Sequence, residues 1–102
     1  MSSLEVATTI ARQLGYSTAR MGVMIGAHSF SGDANSLTFK FKAKARNSSN
    51  CLKVTLDPSD TYTVEFYRVR AGTVKVVKSY SDIYADSLKG LFESETGLYL
   101  SL

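Results

Sequence analysis

Cysteine, proline and histidine are nearly missing from this chain, and their scarcity closes several routes. The one cysteine, Cys51, has no partner for an internal disulfide, so the fold depends on its apolar core. Cys51 and the one histidine, His28, supply at most two soft ligands, too few for a four-ligand zinc site. One proline and seven glycines leave little material for a long linker or a disordered tract. No apolar run approaches the ~20 residues that cross a bilayer. Glu5 stands near the start with no basic cluster before an apolar stretch, which does not fit a secretory signal. A cytoplasmic location is the simplest expectation. Asn47-Ser48-Ser49 has the glycosylation pattern, but without secretion it reads as a turn.

What remains is ordinary globular material. The chain has 102 residues, 44% apolar and 21% charged, which fits a single domain over 1–102. A chain of this length buries roughly two thirds of its unfolded surface, enough for one modest core. The formal charge is +3, but its distribution says more. Five basic residues and no acid fall between Thr38 and Leu56, whereas four acids and one Lys fall between Ser81 and Glu95. One region of the surface is expected to be basic and another acidic.

Periodicity supplies the architecture. Leu4, Ala7, Ile10, Ala11 and Leu14 recur at helical spacing from Ser2 to Leu14, with Ser2 and Glu5 placed as a capping box and Gly15 as a stop. Met21–Ile25 is short and apolar and reads as a strand. Ser31–Asn35 is a turn cluster. From Leu37 to Ala43, Leu37, Phe39, Phe41 and Ala43 alternate with Thr38, Lys40, Lys42 and Lys44, which predicts a strand with an apolar inner face and a lysine row outside. Leu52, Val54 and Leu56 mark a second such strand, and Tyr62, Val64 and Phe66 a third. The third follows an Asp57-Pro58-Ser59-Asp60 turn. Thr73–Val77 reads as a fourth, with Val74 and Val76 inward. Ser81 to Thr96 reads as a closing helix capped by Ser81, with Tyr84, Leu88, Leu91 and Phe92 on one face. The expected class is α+β: helix, antiparallel β-meander of four to five strands, helix, with both helices on one face of the sheet.

Little here can carry covalent chemistry. A nucleophile needs a base in reach, and His28 stands far in sequence from Cys51. Cys51 reads as a packing residue. Asp82 and Asp86 face the same way on the expected helix, but a carboxylate pair alone does not make a hard-cation site. Gly22 to Gly26 lacks the Lys and Ser/Thr that complete a phosphate-binding loop. The expectation is a protein that is not an enzyme and holds no metal or cofactor. The suggestive feature is cationic: Lys40, Lys42 and Lys44 on one strand, Lys53 on its neighbour and Arg46 at the turn. Lysines two apart on a strand lie about 6.6 Å from each other, roughly the spacing of phosphates along a nucleic-acid strand. Tyr67 on the same face would be able to stack a base. The competing reading is a solvated face whose lysines resist edge pairing.

The order of short segments also resembles a set of small uncharacterised proteins encoded by phages and mobile elements. The segments are Gln13-Leu14-Gly15, Gly26 to Phe30, Ser36-Leu37-Thr38-Phe39, Leu52 to Leu56, Tyr62 to Phe66, Tyr84-Ala85-Asp86 and Thr96-Gly97-Leu98-Tyr99. Val23–His28 departs from that family's pattern, so His28 takes no role by analogy. The resemblance brings no activity; it implies a phage or prophage origin and action inside a bacterial cell. Three functions follow as expectations. The first is a non-enzymatic accessory protein that binds nucleic acid, or a complex that handles it, through the basic sheet face. The second is a protein-binding inhibitor of a host nuclease or defence system. The third is a homo-oligomeric structural component.

Overall fold

The computed structural model of the chain describes residues 5–15, 25–32 and 34–98. The elements are α1 (Glu5–Gly15), β1 (His28–Gly32), β2 (Ser36–Lys40), β3 (Cys51–Leu56), β4 (Tyr62–Arg70), β5 (Thr73–Ile83), a short 3-10 turn (Ala85–Ser87) and α2 (Leu88–Thr96). The strands form one antiparallel sheet in the order β1-β2-β3-β4-β5. The expected α+β class with an antiparallel meander is therefore observed.

The core follows from the pleat. Leu37, Val54 and Val64 are paired across three strands, and Phe39, Leu52 and Phe66 make the next row. All six are buried on one face. Phe92 of α2 lies over them, 6.3 Å from the Phe66 ring and 5.5 Å from Phe41. Ile10 and Leu14, one helical turn apart on α1, join the same cluster. Each such side chain contributes about 2–3 kcal/mol when removed from water. Thr9 and Arg12 are exposed on α1, the polar side of an amphipathic helix. Among the described residues no helix is long and apolar enough to cross a membrane.

Several expectations are corrected. The first lysine-rich strand stops at Lys40, not Ala43. Beyond it only single bonds continue: Phe41 N donates to Asn50 O at 3.0 Å and Ala43 N to Ile25 O at 3.1 Å. The burial alternation persists, with Phe41 buried and Lys42 and Lys44 exposed. The fourth strand is longer than expected, and Val74 and Val76 face outward, 63% and 53% exposed. The cause is a bulge. Phe66 is opposite Lys78 but Tyr67 is opposite Val76, so Val77 is an extra residue that reverses the phase of everything before it. The closing helix does not start at Ser81. Pairing of Tyr62 with Ile83 keeps that segment in β5, Asp82 takes a positive φ of 57°, and Tyr84 is 67% exposed rather than on the apolar face. Asp82 and Asp86 therefore do not share a helix.

β1 is an element that the sequence reading did not anticipate. Its Phe30 packs on Phe39 with ring centroids 5.2 Å apart. Met21–Ile25, expected as a strand, lies outside the described residues apart from Ile25, which is buried. Ser2, Leu4 and the tail from Tyr99 also lie outside them.

Candidate nucleic-acid interface

The six residues expected to form one basic face are found in three places. Lys40, Lys53 and Tyr67 share the outer face of the sheet, opposite the core. Lys40, Cys51 and Tyr67 form one cross-strand row, and Thr38, Lys53 and Glu65 the next. That face is not purely cationic, because Glu65 stands directly opposite Lys53. The Tyr67 hydroxyl donates to the Glu65 carboxylate; burial first, then that carboxylate, pushes the phenol up to about 12. Burial also raises the Cys51 thiol, and the neighbouring Lys40 ammonium lowers it by less. Cys51 is buried and keeps its proton, as a packing residue does.

Arg46 belongs to neither sheet face. Its backbone N donates to Thr96 O at 2.7 Å. Its guanidinium covers Gly97, where an added Cβ would come within 3.1 Å of Nη2. Gly97 ends α2 with a left-handed φ of 73°. The cation thus sits at the negative end of the helix dipole, a structural role.

Lys42 and Lys44 go to a third place, with Arg68, around an open hollow of about 300 Å³ that Ser48 and Asn50 also line. Arg68 in turn borders a second hollow of about 500 Å³ with Arg70, Thr73 and Lys75. The two hollows share Arg68, and together five cations line them. No acidic residue lines either hollow. Among the described residues none of the five cations has a carboxylate partner.

Local structure explains how this surface is built. The β4–β5 hairpin outruns its neighbour, since β3 pairs no further along β4 than Tyr67. Asn50 extends the support by one step. Its side-chain amide donates to Val69 O at 2.9 Å and accepts from Val69 N at 2.8 Å, and its own N donates to Tyr67 O. Ala71 and Gly72 close the hairpin with φ of 48° and 82°, the paired positive values of a type I′ turn. Directly paired residues point to one face. Arg68 pairs with Lys75 and Arg70 with Thr73, so these four share the side that carries the core lower down. Tyr67, Val69, Val74 and Val76 share the opposite side. The ribbon is cationic on one face and apolar on the other.

Arg68, Arg70 and Lys75 were not singled out from sequence, though β4 carries the signal. Its inward positions run Tyr62, Val64, Phe66 and then Arg68, Arg70, so the core side turns cationic where the core ends. The acidic stretch is less available than its composition implies, because Tyr80 donates to Glu95. Among the described residues no three His, Cys, Asp or Glu side chains come together where they could hold a metal ion. The chain matches no protein-family model, no curated protein and no solved structure.

Proposed function

We propose that this chain is a non-enzymatic nucleic-acid-binding protein, of the phage or prophage accessory kind, acting inside a bacterial cell. Its contact surface is formed by Lys42, Lys44, Arg68, Arg70 and Lys75. In this reading both helices cover the apolar face of the sheet up to Phe66, and the cations begin where that cover stops. One observation carries the proposal: Arg68 and Lys75 are directly opposed like charges, with no described carboxylate beside them. Such a pair costs stability, and a carboxylate at either position would remove the cost. A polyanionic partner gives both residues a use. The outer face fits less well, since Glu65 opposes Lys53 and holds the Tyr67 hydroxyl.

The test compares two sets of variants by mobility shift with mixed-sequence nucleic acid. Lys42→Gln with Lys75→Gln is expected to weaken binding at least tenfold, and Lys53→Gln on the outer face to leave it within a factor of two. The reverse order would place the contact on the sheet face and defeat the assignment.

A second reading, self-association, is favoured by the apolar side of the ribbon. Val74 and Val76 are exposed on β5, which ends the strand order and has no outer neighbour among the described residues. Light scattering over a concentration series decides this, with Val76→Lys expected to abolish any dimer.

A further inference from the structure

We infer that the β4–β5 ribbon enters the major groove of double-stranded DNA, with its cationic face on the base edges and Lys42 and Lys44 on the flanking phosphates. The inference rests on the nucleic-acid reading above and specifies the form of the ligand. Three residues, Arg68 to Arg70, separate the last β3 pairing from the turn, so the ribbon runs about 10 Å past β3 at ~3.3 Å per residue, with Asn50 bound alongside it as far as Val69. The major groove of B-form DNA is about 8.5 Å deep and about 12 Å wide and admits a two-stranded ribbon. The minor groove, about 6 Å wide, does not. The deep, narrow major groove of an RNA duplex is also closed to it.

The side chains match what the groove floor offers. Arg68, Arg70, Thr73 and Lys75 form a two-by-two grid on one face. Neighbours along a strand stand about 6.6 Å apart, close to two base-pair steps. Arg70 and Thr73 flank the turn, and both are exposed. An arginine there can donate two hydrogen bonds to guanine O6 and N7, and a threonine hydroxyl can serve either base of a pair. Arg68 lines both hollows, so Lys42 and Lys44 border the same side chain as the grid does. Groups at that position meet the phosphate wall as the ribbon meets the floor. The Asn50 amide, clamped to both polar groups of Val69, holds the ribbon at a fixed angle to the sheet. A pre-set angle lowers the ordering cost of docking.

The experiment uses the full chain with three probes of one mixed sequence: DNA duplex, RNA duplex and single-stranded DNA. Affinity is measured at fixed salt, and guanine N7 methylation protection is read on the DNA duplex. The expected result is binding to the DNA duplex at least tenfold tighter than to either other probe, with N7 protection. Arg70→Gln, at an exposed tip beyond the core, is expected to lose that protection and weaken duplex binding about tenfold. Single-stranded DNA bound as tightly, or duplex binding without N7 protection, overturns the groove inference and leaves nucleic-acid binding standing. Failure to bind any of the three overturns both.

Discussion

Lys75→Glu should make the protein more stable and a worse binder at once. Residues directly paired across antiparallel strands have Cβ atoms about 5 Å apart. Arg68 and Lys75 are so paired, and Lys75 is exposed. Two unit charges about 5 Å apart in water interact by about 0.8 kcal/mol. At physiological ionic strength roughly half of that survives screening. Replacing repulsion by attraction swings the pair by about twice the screened value, close to 0.8 kcal/mol. For a domain of this size that raises the unfolding midpoint by about 4 °C. Lys75→Gln should give about half the gain. Binding moves the other way, because the variant loses one cation from the contact face and presents a carboxylate that the polyanion repels. Thermal unfolding by circular dichroism and fluorescence anisotropy with a labelled DNA duplex, in one buffer, read the two effects. A lower midpoint would show that Lys75 has a structural partner that the geometry does not reveal. A higher midpoint with unchanged affinity would show that the opposed charges serve no polyanion.

Other expectations follow from single residues. Ala71 holds a left-handed conformation that costs a non-glycine residue about 1–2 kcal/mol, so Ala71→Asn, which makes the preferred Asn-Gly turn, should raise stability by about 0.5 kcal/mol in a denaturant titration. Asn50→Ala removes both amide bonds to Val69 and should cost about 1–2 kcal/mol, with faster hydrogen exchange at the Val69 amide. Phe92→Ala empties the middle of the core and should cost about 3–5 kcal/mol in the same titration. Tyr67 carries a pH signature. Its folded-state pKa is raised from 10.0 to about 12, so the neutral phenol stabilises the fold fully below pH 10 and loses that contribution as pH rises toward 12. From pH 7 to pH 12, Tyr67→Phe should lose less stability than the parent does, measured as a difference because Tyr62 and Tyr80 shift in the same direction.

The legible parts of the fold were those governed by local alternation. Leu37 to Phe41, Leu52 to Val54 and Tyr62 to Phe66 each bury one face, and the period of two shows it directly. Bulges are not legible in this way. Val77 is an extra residue only relative to β4, so the outward turn of Val74 and Val76 depends on a partner distant in the chain. The Ser81 cap signal was real in composition but lost to pairing of Tyr62 with Ile83. β1 was obscured by His28 and three small residues around Phe30, a strand whose one large apolar group packs on Phe39. For the site, Lys42 and Lys44 were legible as cations in a stretch without acids, but not their neighbours. Arg68, Arg70 and Lys75 become a surface only because the hairpin outruns β3, a length difference between strands that neither sequence segment contains.

The dependence of DNA affinity on salt tests the central claim most directly. The two phosphate contacts of Lys42 and Lys44 predict a slope of about −1.8 in a plot of log affinity against log salt, since each neutralised phosphate contributes roughly 0.9. Substituting Lys42 or Lys44 by Gln should flatten that slope by about one each, and Lys53→Gln should leave it unchanged. A slope near zero, or equal flattening by Lys53→Gln, would contradict a contact surface built on the ribbon.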